Sequence, residues 1–375
     1  MTVAAKQTPS MEIPLVDLKA QNGPIRAELD AAVKAVFDSG EFILGGFLQR
    51  FEQECAKYLG VKHAIGVANG SDALYLALLA LDIKPGDEVI SVPHTYVATP
   101  ESIVRTGAKL VFVDVEKDTW NMDIGQLKKA ITKKTKAILP VHIFGQCANM
   151  TAINEIAGNI PVVEDAAQAW GADHWGAKSG ALGTLSCFSF YPTKTLGACG
   201  DGGMVATDDD NLAARVRALR VHGESRRYFN NLHGVNSRLD GIQAAILSVK
   251  LKYVDGWNKE RRHIAEYYRK RFEGSPVKLG VVADGNTHVW HQCVIMAPRR
   301  DELQAHLKSR GIGTNIFYPV PQHLQECFKD LGHKKGDFPV TESISTDSLA
   351  LPVYPEMTEA QRKYVADEIL AFYKK

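Results

Sequence analysis

Two residues stand where an amine nucleophile and a shielded carboxylate would act together. Lys194 lies in the run Phe188-Ser-Phe-Tyr-Pro-Thr-Lys-Thr-Leu-Gly197, between an apolar strand-like stretch and the glycine cluster Gly200-Asp-Gly-Gly203, and Asp165 ends the apolar run that starts at Ile160. A lysine can form a Schiff base with an aldehyde cofactor, and a buried carboxylate can keep a pyridine nitrogen protonated. The pair therefore predicts a pyridoxal phosphate (PLP) site, the alternatives being a solvated loop lysine and an aspartate that caps a turn.

A phosphate-binding turn is predicted at Gly70 and Ser71. These residues lie in Asn69-Gly-Ser-Asp72, between a strand pattern that ends at Ala68 and a helical pattern that starts at Asp72. The first amides of a helix have no intrahelical acceptor and can bind a phosphate. The alternative is that Ser71 or Asp72 only caps the helix.

Three further side chains are candidates for contacts with the cofactor. Tyr96 follows the second predicted strand and could stack on a flat ring, or only pack. Gln168, three residues after Asp165, returns to the same side and could bond to a ring substituent. Ser189 alternates with Phe188 and Phe190, and either contacts the cofactor or is incidental. The sequence leaves the roles of His94 and His142 open.

The composition is that of a globular protein that binds small molecules. The 375 residues are 45% hydrophobic and 23% charged, with a formal net charge of +1. Such a charge gives no overall attraction to nucleic acid or to an anionic membrane. The start of the chain has no apolar secretory segment and the six cysteines form no C-x-x-C pair, so we expect a soluble cytoplasmic protein without a metal site.

Short apolar, β-branched runs alternate with helical patterns over the first two thirds of the chain. About seven strands are predicted near residues 64–68, 88–92, 110–113, 137–141, 160–163, 185–190 and 204–207. Helical patterns are predicted over 72–81, 100–106, 124–131 and 151–157. The alternation predicts an α/β fold in which helices cover both faces of a mostly parallel sheet.

The last third is predicted to form a smaller α+β domain. One helix is predicted over 212–219, and a long one from Leu239 to about Phe272 could bridge two domains. Beyond Pro276, strand patterns (289–296, 314–317) alternate with helices (302–309, 359–373), and Thr358-Glu-Ala-Gln361 is a capping box. We expect a disordered arm over residues 1–10, a large PLP-binding domain over 11–255 and a small domain over 256–375.

Five segments together resemble the DegT/DnrJ/StrS family of PLP-dependent sugar aminotransferases, which have the fold-type I architecture. The likeness runs from about Ile13 to the C-terminus. The segments are Ala68-Asn-Gly-Ser-Asp-Ala-Leu74, Val163-Glu-Asp-Ala-Ala-Gln-Ala169, Phe188 to Gly197, Gly200-Asp-Gly-Gly203 and Asn236-Ser-Arg-Leu-Asp-Gly-Ile-Gln-Ala-Ala245.

The resemblance implies a catalytic role for Lys194 and Asp165. Lys194 is expected to bind the cofactor covalently and to move the proton between cofactor and substrate carbons. Asp165 is expected to pair with the pyridine nitrogen, Gln168 to contact the ring hydroxyl and Tyr96 to stack on the ring. The family's sugar dehydratases have histidine in place of the lysine, so Lys194 favours transamination.

The resemblance also implies phosphate contacts and a homodimer. Gly70, Ser71 and Ser189 are expected to hold the cofactor phosphate, and Asn236 to reach the phosphate in the neighbouring subunit, so that the active sites are shared. Arg238 either caps the following helix or meets an anionic substrate or the phosphate.

The C-terminal segment Thr314-Asn-Ile-Phe-Tyr-Pro-Val-Pro-Gln-His323 resembles the substrate-side segment of the family. Its candidate substrate-binding residues are Asn315, Tyr318 and His323.

The implied reaction moves an amino group from glutamate to a nucleotide-linked ketosugar. The runs Phe-Tyr-Pro before Lys194 and Gly-Asp-Gly-Gly after it resemble members that act at carbon 3 of a 3-keto-6-deoxyhexose. Three alternatives stay open: amination at carbon 4, another fold-type I PLP enzyme such as a lyase, and a PLP-binding regulator without turnover. A regulator that binds DNA is disfavoured, because the chain shows no helix-turn-helix pattern.

Overall fold

A computed structural model of the chain describes residues 11–374, so the arm expected over residues 1–10 lies outside the described residues. Its α-helices, numbered in chain order, are α1 (Leu18–Asn22), α2 (Arg26–Ser39), α3 (Gly46–Leu59), α4 (Gly70–Ala80), α5 (Ala98–Arg105), α6 (Ile124–Ala130), α7 (Met150–Ala157), α8 (Asp210–Leu219), α9 (Gly241–Leu251), α10 (Val254–Arg271), α11 (Arg300–Ser309), α12 (Pro339–Asp347) and α13 (Glu359–Tyr373). Short 3₁₀ helices span Ile143–Gly145, Gln322–Leu324 and Glu326–Leu331. No helix within residues 11–374 is both long and apolar enough to cross a membrane.

The strands form one large sheet and several small ones. They are β1 (His63–Val67), β2 (Glu88–Ser91), β3 (Lys109–Phe112), β4 (Thr135–Ile138), β5 (Val163–Asp165), β6 (Asp173–His174), β7 (Ala177–Lys178), β8 (Leu185–Ser189), β9 (Gly203–Thr207), β10 (Glu224–Arg226), β11 (Phe229–Asn230), β12 (Lys278–Leu279), β13 (Asn286–Thr287), β14 (Cys293–Met296) and β15 (Ser348–Leu351).

The large sheet has the strand order β3-β2-β4-β5-β8-β9-β1. Ladders join β3-β2-β4 and β5-β8-β9-β1, and parallel bridges from Ile138 to Val162 and from Val141 to Asp165 connect the two halves. Only β9 is antiparallel to its neighbours β8 and β1, so the other six strands run in one direction. The predicted seven-stranded, mostly parallel α/β sheet is confirmed.

The common strand direction puts the predicted site residues at one edge. Loops that follow the carboxyl ends of parallel strands meet on the same side of a sheet. The turn after β1 carries Gly70, the loop after β2 carries Tyr96, β5 ends at Asp165, and the loop after β8 carries Lys194.

Helix α4 is buried beneath this edge because it is apolar on almost every side. Its buried residues are Ala73, Leu74, Leu76, Ala77, Leu78 and Ala80, and they pack into the same core as strands β1, β5, β8 and β9. A helix without a polar face is stable only when protein covers it all round. Packing therefore fixes the start of α4 at the edge where the site lies.

The C-terminal part of the chain has its own core and sheet. Strands β12, β14 and β15 are antiparallel, and the core under them includes Tyr268, Leu303 and Ile369. The capping box predicted at Thr358 and Gln361 is present at the start of α13. The division into two domains near residue 255 stays a prediction, although the start of α10 falls there.

Two predicted elements differ from the structure. The long helix predicted from Leu239 to Phe272 is broken between α9 and α10, where Lys252 and Tyr253 turn the chain. Residues 314–317 form no ladder strand, because only Asn315 bridges to Ala350 in β15. In both places the apolar pattern of the side chains continues, although the backbone hydrogen bonds of the predicted helix or strand are absent.

Candidate active site

A cavity of about 730 Å³ opens at the carboxyl edge of the large sheet. Its wall contains most of the predicted site residues: Gly70, Ser71, Tyr96, Asp165, Gln168, Ser189, Lys194 and Tyr318. These eight residues come from positions as distant as 70 and 318 in the chain, and the fold brings them together.

Lys194 lies in a tight loop that follows β8. Its amide donates to the Tyr191 carbonyl (2.8 Å), and the Ala198 amide closes the loop on the Phe190 carbonyl (2.8 Å). A Cβ on Gly197 would lie 2.2 Å from the Pro192 carbonyl oxygen, so this position requires glycine. Burial lowers the pKa of the Lys194 amine to about 8, while the carboxylate of Asp165 opposes that change. Most of the amine is still protonated at neutral pH, but the neutral fraction that acts as nucleophile and proton acceptor is far larger than for an ordinary lysine.

Asp165 is held at the end of β5 by backbone and side-chain hydrogen bonds. Its amide donates to Pro140 and its carbonyl accepts from the His142 amide. The carboxylate accepts from the Thr99 hydroxyl (2.7 Å) and the Ala167 amide (3.2 Å). Burial raises the pKa of Asp165, and these donors oppose the rise. Within residues 11–374 the carboxylate has no salt bridge, so a cationic ring nitrogen would supply the partner it lacks.

The turn at Gly70 allows a close backbone approach. Asn69, not Ser71 or Asp72, caps α4, because its side-chain oxygen accepts from the Asp72 amide (2.8 Å). A Cβ on Gly70 would lie 2.6 Å from Cβ of Ser189, and one on Gly203 would lie 2.3 Å from the Asn69 carbonyl carbon. The amides at the start of α4 and the Ser189 hydroxyl thus lie side by side in a cradle that could hold a phosphate.

Gln168 connects the strand end to the C-terminal segment. Its Oε1 accepts from the Phe144 amide (2.6 Å) and its Nε2 donates to the Tyr318 hydroxyl (3.0 Å). The rings of Tyr96 and Tyr318 are 6.0 Å apart, and the Tyr96 side chain is exposed. The two tyrosines therefore lie next to each other in the cavity wall, with Tyr96 the more exposed of the two.

The histidines that the sequence left open are buried. His94 packs edge-on against Phe144, and burial lowers its pKa to about 4, so it is neutral. His142 Nε2 bonds to Glu164 (2.8 Å), whose carboxylate also accepts from Gly180, Leu182, Gly183 and Ser186. Glu164 points away from the cavity, as the strand pleat predicts, and this pair serves the structure beneath Asp165.

Four predicted residues do not line the large cavity. Asn236, which is exposed, and Arg238 lie before α9. Asn315 lines a smaller neighbouring cavity of about 260 Å³. His323 is buried and bonds to Glu342 (3.1 Å), packed against Phe338. The roles assigned to these residues stay predictions.

The prediction from sequence overlooked several residues in the cavity wall. Thr99 lies at the start of α5, four residues after Thr95. This spacing of two hydroxyls after a strand is the signal by which the sequence could have pointed to Thr99. His291 and Gln292 precede β14 and line both cavities. Nothing in the local pattern of these two residues distinguishes them from other polar residues next to a strand.

The chain matches known proteins over almost its whole length. Residues 24–370 match the profile of the DegT/DnrJ/EryC1/StrS aminotransferase family. A pleiotropic regulatory protein of Geobacillus stearothermophilus is 47% identical over 97% of this chain and 99% of its own. The dTDP-3-amino-3,4,6-trideoxy-alpha-D-glucose transaminase of Streptomyces venezuelae is 44% identical over 95% of both chains. The UDP-N-acetyl-3-dehydro-alpha-D-glucosamine 3-aminotransferase of Acidithiobacillus ferrooxidans is 41% identical over 96% of this chain and 98% of its own.

Solved structures share the fold. DesV from S. venezuelae, in complex with a ketimine intermediate, superposes with a TM-score of 0.95 at 43% identity, covering 97% of this chain and 99% of its own. NtdA from Bacillus subtilis, with bound cofactor PMP, has a TM-score of 0.90 at 28% identity, covering 99% of this chain and 87% of its own. The fold-type I architecture and the PLP cofactor expected from the sequence are confirmed. The donor set of the cavity, an amine, a shielded carboxylate and a glycine-lined helix start, fits that cofactor.

Proposed function

The chain belongs to the DegT/DnrJ/EryC1/StrS aminotransferase family, and from that premise we propose that it transfers an amino group from glutamate to carbon 3 of a nucleotide-linked 3-keto-6-deoxyhexose. The observation that carries this proposal is the placement of Lys194, Asp165 and Gly70 in one cavity wall. Relatives named for 3-amino sugars support carbon 3, as do the runs on either side of Lys194. Bound PLP supplies the electron sink that lets an amino group leave one carbon and join another.

Lys194 is proposed as the catalytic base and acid. Its amine, with a pKa of about 8, can take a proton from the donor carbon and return one to the acceptor carbon. Asp165 is proposed to hold the ring nitrogen in its protonated form, and the start of α4 with Ser189 to hold the phosphate. Gln168 and Tyr96 would orient the ring, one by a hydrogen bond and the other by stacking.

The substrate is proposed to enter on the side of the cavity where Tyr96 and Tyr318 lie next to each other. Arg105 is the one guanidinium among the described residues that line the cavity, and Tyr318 lies beside Tyr96. An anionic substrate would meet few positive charges from this chain alone, because Arg105 and Lys194 are the arginine and the lysine among the described residues that line the cavity. A second subunit could supply more, and the proposed reach of Asn236 into the neighbouring site would bring two subunits together at the cavity.

We propose a cytoplasmic homodimer with shared sites. Asn236 is exposed and does not line the cavity of its own chain, which supports a role in the neighbouring one. The test mixes two inactive variants, Lys194→Ala and Asn236→Ala. Shared sites predict that each mixed dimer regains one of its two sites, so about half of the activity per mixed dimer and about a quarter for a randomly assorted mixture, whereas unshared sites predict none.

The reaction itself is tested with purified protein, PLP and glutamate labelled with nitrogen-15. Ketosugars linked to dTDP, UDP or GDP are offered in turn, and mass spectrometry follows the label into the sugar. Label at carbon 3 supports the proposal, and label at carbon 4 replaces it by the alternative regiochemistry. Release of product from an amino acid without a ketosugar would indicate another fold-type I enzyme, and PLP binding without any label transfer would indicate a regulator.

Lys194→Ala and Lys178→Ala provide the matched pair for that assay. Borohydride reduction should leave PLP on a peptide containing Lys194 in the wild type, and on no peptide in Lys194→Ala. Lys178 is a lysine outside the cavity wall that lies over the Tyr58 ring, and its replacement should leave labelling and turnover intact. Turnover by Lys194→Ala at the wild-type rate would refute the assignment.

A further inference from the structure

A chain of two buried hydroxyls ends on the carboxylate of Asp165. Thr99, in the first turn of α5, has its Oγ1 2.7 Å from Asp165 Oδ2. The Oγ1 of Thr95, in the loop after β2, lies 2.7 Å from that of Thr99. Thr99 is fully shielded from solvent, and Thr95 and Asp165 are at most 6% exposed.

The hydrogen-bond chain favours one direction. If Asp165 is ionised, Thr99 donates to it and Thr95 donates to Thr99, so both hydroxyl protons are used. If Asp165 carried a proton and donated it to Thr99, Thr99 would donate to Thr95, and the Thr95 proton would need another acceptor. Thr95 Oγ1 has no other hydrogen-bond partner among residues 11–374. An unsatisfied buried hydroxyl is costly, so the arrangement favours the carboxylate.

The C-terminal segment holds the outer end of this chain. The Gln322 side chain donates to the Thr95 carbonyl (2.8 Å), and the Gln322 amide donates to the Pro93 carbonyl (3.0 Å). Gln322 is buried, so water does not compete for these bonds. The loop that carries Thr95 is therefore fixed from both sides, by α5 and by the segment next to Tyr318.

We propose that Thr99, oriented by Thr95, is a positioning residue that keeps the Asp165 carboxylate ionised and turned toward the ring nitrogen of the cofactor. This role rests on the proposed function of Asp165. Thr99 itself touches the carboxylate, and it acts on the cofactor only through that group.

Burial raises the pKa of Asp165, and the Thr99 hydroxyl is the largest of the contributions that lower it. The Ala167 amide, Lys194 and His142 also lower it. The ionisable groups near the carboxylate, from the elements around it, are Lys194, His142, Glu164, Cys187 and Tyr318. None of these is changed by a substitution at Thr99, so a change in the pH profile would report on the hydroxyl.

The test compares Thr99→Val, which keeps the shape and removes the hydroxyl, with Thr99→Ser, which keeps the hydroxyl. Thr106→Val is the control at the C-terminal cap of the same helix, because the buried Thr106 hydroxyl bonds only to the backbone of residues 103 and 108. Holoenzymes are dialysed against graded PLP from pH 5 to 9. The retained PLP and its visible absorbance give the dissociation constant and its dependence on pH, and thermal unfolding reports the fold.

Thr99→Val should weaken PLP binding on the order of tenfold or more. The loss of binding at acid pH should move upward by on the order of one pH unit, because without the donor Asp165 takes up a proton at higher pH. Thr99→Ser and Thr106→Val should stay within about twofold of the wild type. Thr95→Val should move both quantities in the same direction as Thr99→Val, by a smaller amount.

A folded Thr99→Val protein with wild-type PLP affinity and an unmoved acid limb would overturn this role while leaving the proposed function intact. If Thr99→Val does not fold, Thr95→Val decides: an unmoved acid limb there overturns the role, and an upward shift supports it. A wild-type protein that retains no PLP at any pH would overturn the proposed function together with this inference.

Discussion

The side-chain amide of Gln168 donates a 3.0 Å hydrogen bond to the hydroxyl of Tyr318, which lies 150 residues later in the chain. Gln168 follows the strand that ends at Asp165, whereas Tyr318 belongs to the segment before the 3₁₀ helix Gln322–Leu324. The bond joins the ring side of the proposed cofactor site to its substrate side. The position of the substrate-side segment thus depends on a residue assigned to the cofactor.

Removing that hydroxyl should affect the acceptor substrate more than PLP. Tyr318→Phe loses one neutral hydrogen bond, so we expect kcat/KM for the nucleotide sugar to fall about three- to tenfold. PLP retention should not change. Steady-state kinetics with each substrate measure the effect. The control is Tyr364→Phe, which removes a hydroxyl of α13 that donates to the Arg310 carbonyl after α11. An equal loss with Tyr364→Phe would contradict the assignment.

The amine of Lys194 should titrate near its pKa of about 8. Acylation of cofactor-free protein, followed peptide by peptide with mass spectrometry, should show the reactivity of Lys194 rising through about pH 8. The exposed Lys308 in the same digest serves as an internal standard for the reagent. Because the Asp165 carboxylate raises the pKa of Lys194, Asp165→Asn should move the midpoint to lower pH. A midpoint at the ordinary lysine value of 10.5, or a shift upward in Asp165→Asn, would contradict this placement of the amine.

Gly70→Ala should disturb the phosphate cradle. The added Cβ would lie 2.6 Å from Cβ of Ser189, which is closer than packed atoms allow. We expect the free energy of unfolding to fall by roughly 1 to 3 kcal/mol, together with weaker PLP binding. Gly256 in α10 is the matched control, since nothing lies within 4 Å of its added Cβ. Gly256→Ala should stabilise the protein by roughly 0.5 to 1 kcal/mol, and equal behaviour of the two variants would refute the argument from packing.

Glu164→Gln should destabilise the protein without removing a cavity residue. Burial alone would raise the pKa of Glu164, but the hydrogen bonds from His142, Gly180 and Ser186 outweigh it and hold that pKa below 4.5. A carboxyl group whose pKa is lowered in the folded state stabilises the protein at any pH above its pKa in the unfolded state. This contribution is lost as the pH falls through the folded-state pKa. We therefore expect a loss of roughly 2 to 4 kcal/mol at neutral pH, which narrows below pH 4.5.

Denaturant unfolding at several pH values measures this difference. Glu260→Gln is the control, because Glu260 is exposed and its partner His263 is also exposed. That control should change stability by less than about 1 kcal/mol. A Glu164→Gln loss that stays constant from pH 7 to pH 3 would contradict an ionised Glu164.

The sequence by itself determined the strand order along the chain and the residues at the strand ends. The apolar runs that end near Ala68 and at Asp165, and the glycines around Lys194, are local signals, because burial and tight turns select particular residue types at each position. The same local signals located the capping box at Thr358. These signals depend only on residue type and spacing, and they do not require knowing which segments meet in the fold.

Only the tertiary structure decided the contacts between distant segments. Thr99 reaches Asp165 across 66 residues, and Gln322 reaches Thr95 across 227 residues. No local pattern encodes such pairings, because they depend on which strands become neighbours and on how each loop closes over the sheet edge. The break between α9 and α10 has the same origin, since the apolar stripe continues while the backbone hydrogen bonds change. Packing of the whole chain therefore selected the partners of residues whose chemistry the sequence had already supplied.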